Sequence, residues 1–325
     1  MGIRPSAERI TMTTGASRLS LVRPNRWFWL AWVVPAVLVT LALVVLAANG
    51  IRGLPQVESF MRSYPGVSTH LAATPVGIPA WLAWQHGLNA FFILFVIRTG
   101  WQVRTTKRPS IFWTRTNTGL FRTKNPPIRI TLNLWQHIVF DTLWAVNGIV
   151  FYVLLFATGQ WLRLVPTNWD VFPNAVSAGL QYASLNWPTG TGWVHYNALQ
   201  MLSYFVVVFI AAPIALVTGL RMSPGLSARF RRLDRVFPLP VARKLHFAVL
   251  IFFVAFIVIH VTLVLTTGAR ANLNHMYAAR NDDGWTGVWV VVAALLVTAG
   301  IWAGARPAVV RAIAARSGRI IHRKR

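Results

Sequence analysis

Hydrophobic positions in this 325-residue chain gather into long blocks, separated by polar, basic or proline-rich segments. Six blocks reach or pass the roughly 20 residues that a helix needs to cross a bilayer. They lie at about 27–48, 81–101, 136–158, 194–219, 246–267 and 285–304. No Ser/Gly linker or low-complexity run divides them, so the pattern predicts one all-α integral membrane domain of six transmembrane helices. Composition agrees: 55% of residues are hydrophobic and 12% charged, where a soluble domain carries about a quarter charged.

The net charge of +25 changes the picture only through its distribution. The arm at 1–26, the loop at 102–135, the segment at 220–245 and the tail from Arg306 hold 5, 7, 7 and 7 basic residues. The alternate loops at 49–80, 159–193 and 268–284 hold 2, 1 and 2. Lys and Arg in short loops stay on the cytoplasmic side. The expectation is a cell-membrane protein with both termini cytoplasmic, whose charge records topology and touches anionic lipid rather than nucleic acid. No small-residue cleavage pattern follows the first block closely, so it reads as a retained anchor rather than a signal peptide. The outer loops, rich in Pro and Trp, are long enough to fold over the outer face.

Cysteine is absent, which removes disulfides, Cys-held iron–sulfur clusters, covalent haem attachment and zinc–thiolate sites together. No Walker A pattern, dinucleotide fingerprint or nucleophile elbow occurs. A redox centre would have to be held non-covalently, by histidine. The tripeptide WQH occurs twice, at 84–86 and 135–137, each time opening an apolar block. His246 and His260 share the fifth block and stand 14 residues apart. That is about 21 Å and close to four helical turns, so both point to roughly one face. Span direction then pairs the ligands by depth, His137 with His246 near the cytoplasmic face and His86 with His260 near the outer face. Imidazole pairs between membrane helices, with no thiolate at hand, suit the iron of a b-type haem. A single intramembrane histidine is often only hydrogen-bonded between helices; four that pair by depth are not explained that way.

These segments resemble the bacterial di-haem cytochrome b subunits, the group containing the membrane subunits of nickel–iron hydrogenases, formate dehydrogenases and thiosulfate reductases. A looser likeness is to cytochrome b/b6-domain proteins that accompany molybdopterin oxidoreductases. The resemblance covers about residues 80–280 and rests on "WQHGLNAFF", "LWQHIVFD", "YNALQMLSYF", "ALVTGLRMSP" and "RKLHFAVLIFFVAFIVIH". It implies a four-helix core at 81–267 whose first, second and fourth helices supply His86, His137, and His246 with His260, while the third supplies none, so that His195 is not an iron ligand. Against that pattern the helices at 27–48 and 285–304 are accessory additions, flanked by the basic arm and by a basic tail at 305–325. The added first span also reverses which end of the core faces the cytoplasm.

Asp141 is the one carboxylate inside a block, a turn after His137. An ionisable group at that depth costs a few kcal/mol unless paired. Its plain partner is a cytoplasmic-side arginine; its sharper role is proton acceptor for quinone chemistry. Arg98, Arg221, Arg243 and Lys244 crowd the cytoplasmic ends of spans and are candidates for haem propionates, although positive-inside anchoring also accounts for them. His275 reads either as a contact for propionate, quinone or partner, or as a plain loop histidine. The expected function is transmembrane electron transfer through two haems b, between the quinone pool and a partner oxidoreductase subunit of molybdopterin or hydrogenase type. The alternatives are a stand-alone haem quinol oxidoreductase and a proton-coupled transporter using the histidines as a relay.

Overall fold

A computed structural model describes residues 29–118, 122–188, 192–225 and 233–323. The arm at 1–26 lies outside the described residues. Six helices are long and apolar enough to cross a membrane, as the block pattern predicts. In chain order the main elements are α1 (Leu30–Arg52), α2 (Pro55–Ser63), α3 (Ala80–Thr105), β1 (Ile111–Arg115) and β2 (Ile130–Thr131). There follow α4 (Leu132–Ala157), α5 (Val171–Ala183), α6 (Ala198–Met222), α7 (Leu239–Thr266), α8 (Thr286–Gly304), α9 (Pro307–Ala314) and β3 (Gly318–His322). The spans are α1, α3, α4, α6, α7 and α8.

Local chemistry sets several boundaries. Thr131 caps α4 by accepting from the Leu134 amide at 3.2 Å. Asn197 and Gln200 form a reciprocal capping box at the start of α6. Helix α1 runs on to Arg52, a turn past its expected end. The Asn49 amide group donates to the Val45 carbonyl inside the helix and to the Ser184 carbonyl after α5.

Helix α6 contains a π-turn at Val206–Ala211, followed by Pro213. The Ala212 amide bonds back to the Val207 carbonyl. In that register the Val208 carbonyl would need the amide of Pro213, which proline lacks. The Tyr152 hydroxyl of α4 donates to it instead, so the break is satisfied inside the bundle, as a membrane interior requires.

Helices α3 and α4 pack against each other, as do α6 and α7. The pairs meet around Ala211, Val249 and Phe253, with Ile93 against them. Phe95 and Phe140 stack at 4.7 Å, and Trp144 meets Phe253 edge-on at 6.5 Å. Helix α8 joins through its N-terminus and, near its other end, through Trp302, which packs against Phe95 of α3 at 5.7 Å. Gly287 comes so close to the Leu273 carbonyl that a Cβ would collide with it, and the Gly287 amide donates to the Asn274 side chain at 2.6 Å. Helix α1 meets the rest chiefly through α5.

The two ends of the bundle differ. One, the loop face, is covered by α2, α5 and the turn Gln160–Arg163, so the long loops do fold over it. Arg163 is 1% exposed and donates to the carbonyls of Gly77, Gly192 and Trp193 at 2.6, 2.6 and 3.1 Å. The other end, the basic face, carries an element absent from the all-α expectation. Strands β2, β1 and β3 form an antiparallel sheet, with Ile111 opposite His322 and Arg115 opposite Gly318. Within the tail, residues 307–322 therefore pack against the bundle end. Helix α9 buries Val310 and Ala314 on Leu132, and Trp113 donates to the Ala314 carbonyl at 3.0 Å.

Candidate functional site: facing imidazole pairs

At the loop face His86 of α3 and His260 of α7 stand with ring centres 6.3 Å apart and planes at 62°. Two metal–nitrogen bonds of about 2 Å, with about 1.1 Å from each nitrogen to its ring centre, sum to about this separation. One iron therefore fits between them. Tyr277 packs edge-on against His86 at 5.1 Å, Phe256 stacks on His260 at 5.4 Å, and Tyr204 meets it edge-on at 6.0 Å. The Nδ1 atom of His86 is buried with no hydrogen-bond partner among the described residues.

At the basic face His137 of α4 and His246 of α7 lie within electrostatic reach of each other. Thr99 of α3 lies 3.0 Å from Nδ1 of His137, and Thr218 of α6 lies 2.8 Å from Nδ1 of His246. A glycine follows each threonine. A Cβ on Gly100 would sit 3.1 Å from Cε1 of His137, and one on Gly219 3.7 Å from Cε1 of His246. These bare backbones make room where the rings turn inward. The loop-face pair thus has a separation that fits a bis-histidine haem, and the basic-face pair sets two imidazoles beside bare glycine backbone.

In both WQH copies the glutamine is 7% exposed, while Trp84 is 75% exposed. Glutamine faces the bundle and histidine enters the pair in both copies, whereas Trp84 faces outward and Trp135 packs against the Leu132, Val310 and Ala314 cluster beside Trp113.

The other sequence candidates fall differently. Among the described residues Asp141 meets no arginine: its Oδ2 lies 3.4 Å from Nε2 of His137, since residues four apart share a helix face. Arg98 donates to the Trp302 carbonyl at 2.9 Å and covers that indole ring, tying α3 to α8. Arg221, 2% exposed, pairs with Asp234 and donates to the Phe237 carbonyl. Arg243 and Lys244 are exposed in the first turns of α7. His275 is buried against Trp193 and bonds Asn281 at 3.0 Å, so it offers no open surface to a partner.

His195 stacks on His70 at 4.1 Å. Burial, then the neighbouring His195, hold the His70 imidazolium below its ordinary range. Sequence reasoning missed His70, Tyr277, Thr99 and Thr218. The sequence does not single out the last two, since Thr-Gly also stands at 158–159, 267–268 and 286–287.

A helical membrane bundle with facing imidazoles at two depths has the architecture of a b-type cytochrome. A model of the prokaryotic cytochrome b561 family matches residues 77–278, and the chain belongs to that family. It is a multi-pass membrane protein that carries electrons on b-type haem. No curated protein and no solved structure matches it.

Proposed function

We propose that the chain moves electrons across the membrane through two b haems, one held by His137 and His246 and the other by His86 and His260. The observation that carries this is the 6.3 Å separation of His86 and His260, together with a second imidazole pair about 21 Å further along the same helix α7. Haem supplies one-electron ferric–ferrous chemistry at each site. The chain supplies the axial nitrogens, the dry helical walls and the aromatic layer of Phe95, Phe140, Trp144 and Phe253 in the middle of the bundle. The core is the four-helix unit at 81–267, with α1 and α8 as accessory spans.

In this reading the basic face is cytoplasmic and both termini lie there, since Lys and Arg concentrate at that end. The quinone pool exchanges electrons beside the basic-face pair. Asp141 can hold a proton on its carboxylate there, and an apolar crevice of about 180 Å³ lined by Pro213, Ile214, Val217, Thr218, Phe237 and Leu245 opens at that end. The partner oxidoreductase subunit, of molybdopterin or hydrogenase type, docks on the loop face. Arg243 and Lys244, exposed and near His246, are the cations left for propionates once Arg98 and Arg221 are engaged elsewhere.

The test is a dithionite-reduced minus oxidised spectrum of the purified protein with haem quantified as the pyridine haemochrome. Two b haems per chain are expected, and each of the four His→Ala substitutions should remove one. A chain with one haem would show that one pair is misassigned, and none would end the electron-transfer reading. A co-purifying subunit is expected; a quinol-oxidising chain without one would be a stand-alone oxidoreductase.

A further inference from the structure

Thr99 and Thr218 sit on different helices, are 0% and 1% exposed, and make the same pair of bonds. Thr99 Oγ1 is 2.7 Å from the Phe95 carbonyl and Thr218 Oγ1 is 2.6 Å from the Ile214 carbonyl. A carbonyl can only accept, and a hydroxyl has one proton, so each threonine spends its proton on its own helix. What remains toward the histidine is a lone pair. Nδ1 of His137 and Nδ1 of His246 are then each the donor, which puts the ring proton on Nδ1 and leaves Nε2 with a lone pair, in His137 beside the Asp141 carboxyl at 3.4 Å. Both imidazoles are set in the tautomer that binds metal through Nε2.

The loop-face pair has no such arrangement. Among the described residues Nδ1 of His86 is buried without a partner, and no hydrogen bond to His260 is found.

A hydrogen bond donated by Nδ1–H shifts electron density onto the imidazole and makes Nε2 a stronger donor. A stronger donor stabilises ferric iron over ferrous iron and lowers the reduction potential. We infer that Thr99 and Thr218 are positioning residues that fix the tautomer of His137 and His246 and lower the potential of the iron between them, an effect absent at His86 and His260. The inference rests on the reading that the four histidines hold two haems.

The test is a redox titration of the full-length protein in detergent, followed in the reduced b-haem band, for wild type and for Thr99→Val, Thr218→Val, Thr99→Ser and Thr218→Ser. Valine keeps the shape and removes the hydroxyl; serine keeps the hydroxyl. Each valine variant should retain two haems and raise the midpoint of one component while the other stays in place. The ferrous-to-ferric ratio at fixed potential should change by up to about tenfold, or 59 mV for one electron. The serine variants should titrate like wild type. Valine variants with two haems and unmoved midpoints would overturn the inference. If a valine variant loses a haem that its serine counterpart keeps, the hydroxyl is shown to position the ligand. If both lose it, the role is steric and the inference fails. A wild-type chain with fewer than two haems would instead overturn the underlying reading.

Discussion

His86 and His260 face each other from different helices with ring planes crossed at 62°, while His195 lies flat against His70 at 4.1 Å. The first arrangement can close on one iron, and the second is a stack. His86→Ala should therefore leave one haem per chain, and His195→Ala should leave two. Crossed axial planes leave the iron's two π-type d orbitals close in energy, so the ferric signal lost with His86 should be a strongly anisotropic low-spin one. Haem quantification with EPR of both variants checks this, and loss of a haem from His195→Ala would reassign the ligand.

The room beside His137 is set by one missing methyl group. Alanine at position 100 would bring a carbon to 3.1 Å from Cε1 of the ring, whereas at position 219 it would meet His246 at an ordinary 3.7 Å. Each change should favour the helix by about 1 kcal/mol, so any loss of cofactor cannot be blamed on a weakened span. Gly100→Ala should lower occupancy of the basic-face haem and Gly100→Val should abolish it. Gly219→Ala should be tolerated, and Gly148→Ala, with nothing within 4 Å, serves as the silent control. Pyridine haemochrome per chain measures all four. Equal haem in Gly100→Val and wild type would show that the glycine is incidental.

The spans and the two histidine depths were legible because each depends on local spacing: a run of about 20 apolar residues, or four turns between His246 and His260. What escaped depends on pairing between distant segments. The strand at Ile111–Arg115 and the strand at Gly318–His322 lie about two hundred residues apart, and each alone looks like a short apolar stretch in a basic segment. Arg163 resembles an ordinary loop cation until three backbone carbonyls converge on it. Thr99 and Thr218 were missed because a threonine bonded to its own helix is commonplace, and only the neighbouring helix supplies the imidazole.

Asp141 shares a helix face with His137, and its side chain is 34% exposed, enough to turn toward the membrane surface. If it holds the proton for quinone chemistry, Asp141→Asn should slow quinone-linked turnover by tenfold or more while two haems and their spectra persist. Stopped-flow reduction by a quinol analogue, set beside the dithionite spectrum, separates the two effects. Unchanged turnover would remove Asp141 from proton handling and leave it a plain neighbour of the ligand.

The His70–His195 stack should make the loop-face cap sensitive to acid. Burial first, then His195, depress His70, and burial first, then Arg163, depress His195, while Asp170 acts on His70 in the opposite sense. Folded values below the unfolded one, roughly 6.5 for histidine, mean that the unfolded cap binds more protons. Stability is then full above that pH and falls as pH drops through it toward the folded values. Amides in 64–79 and 192–197 should exchange faster at pH 5 than at pH 7.5 after correction for the intrinsic rate. Since the penalty comes from charging a buried imidazole, His70→Phe should keep the ring stack and flatten that dependence. An unchanged slope in His70→Phe would place the acid sensitivity elsewhere in the cap.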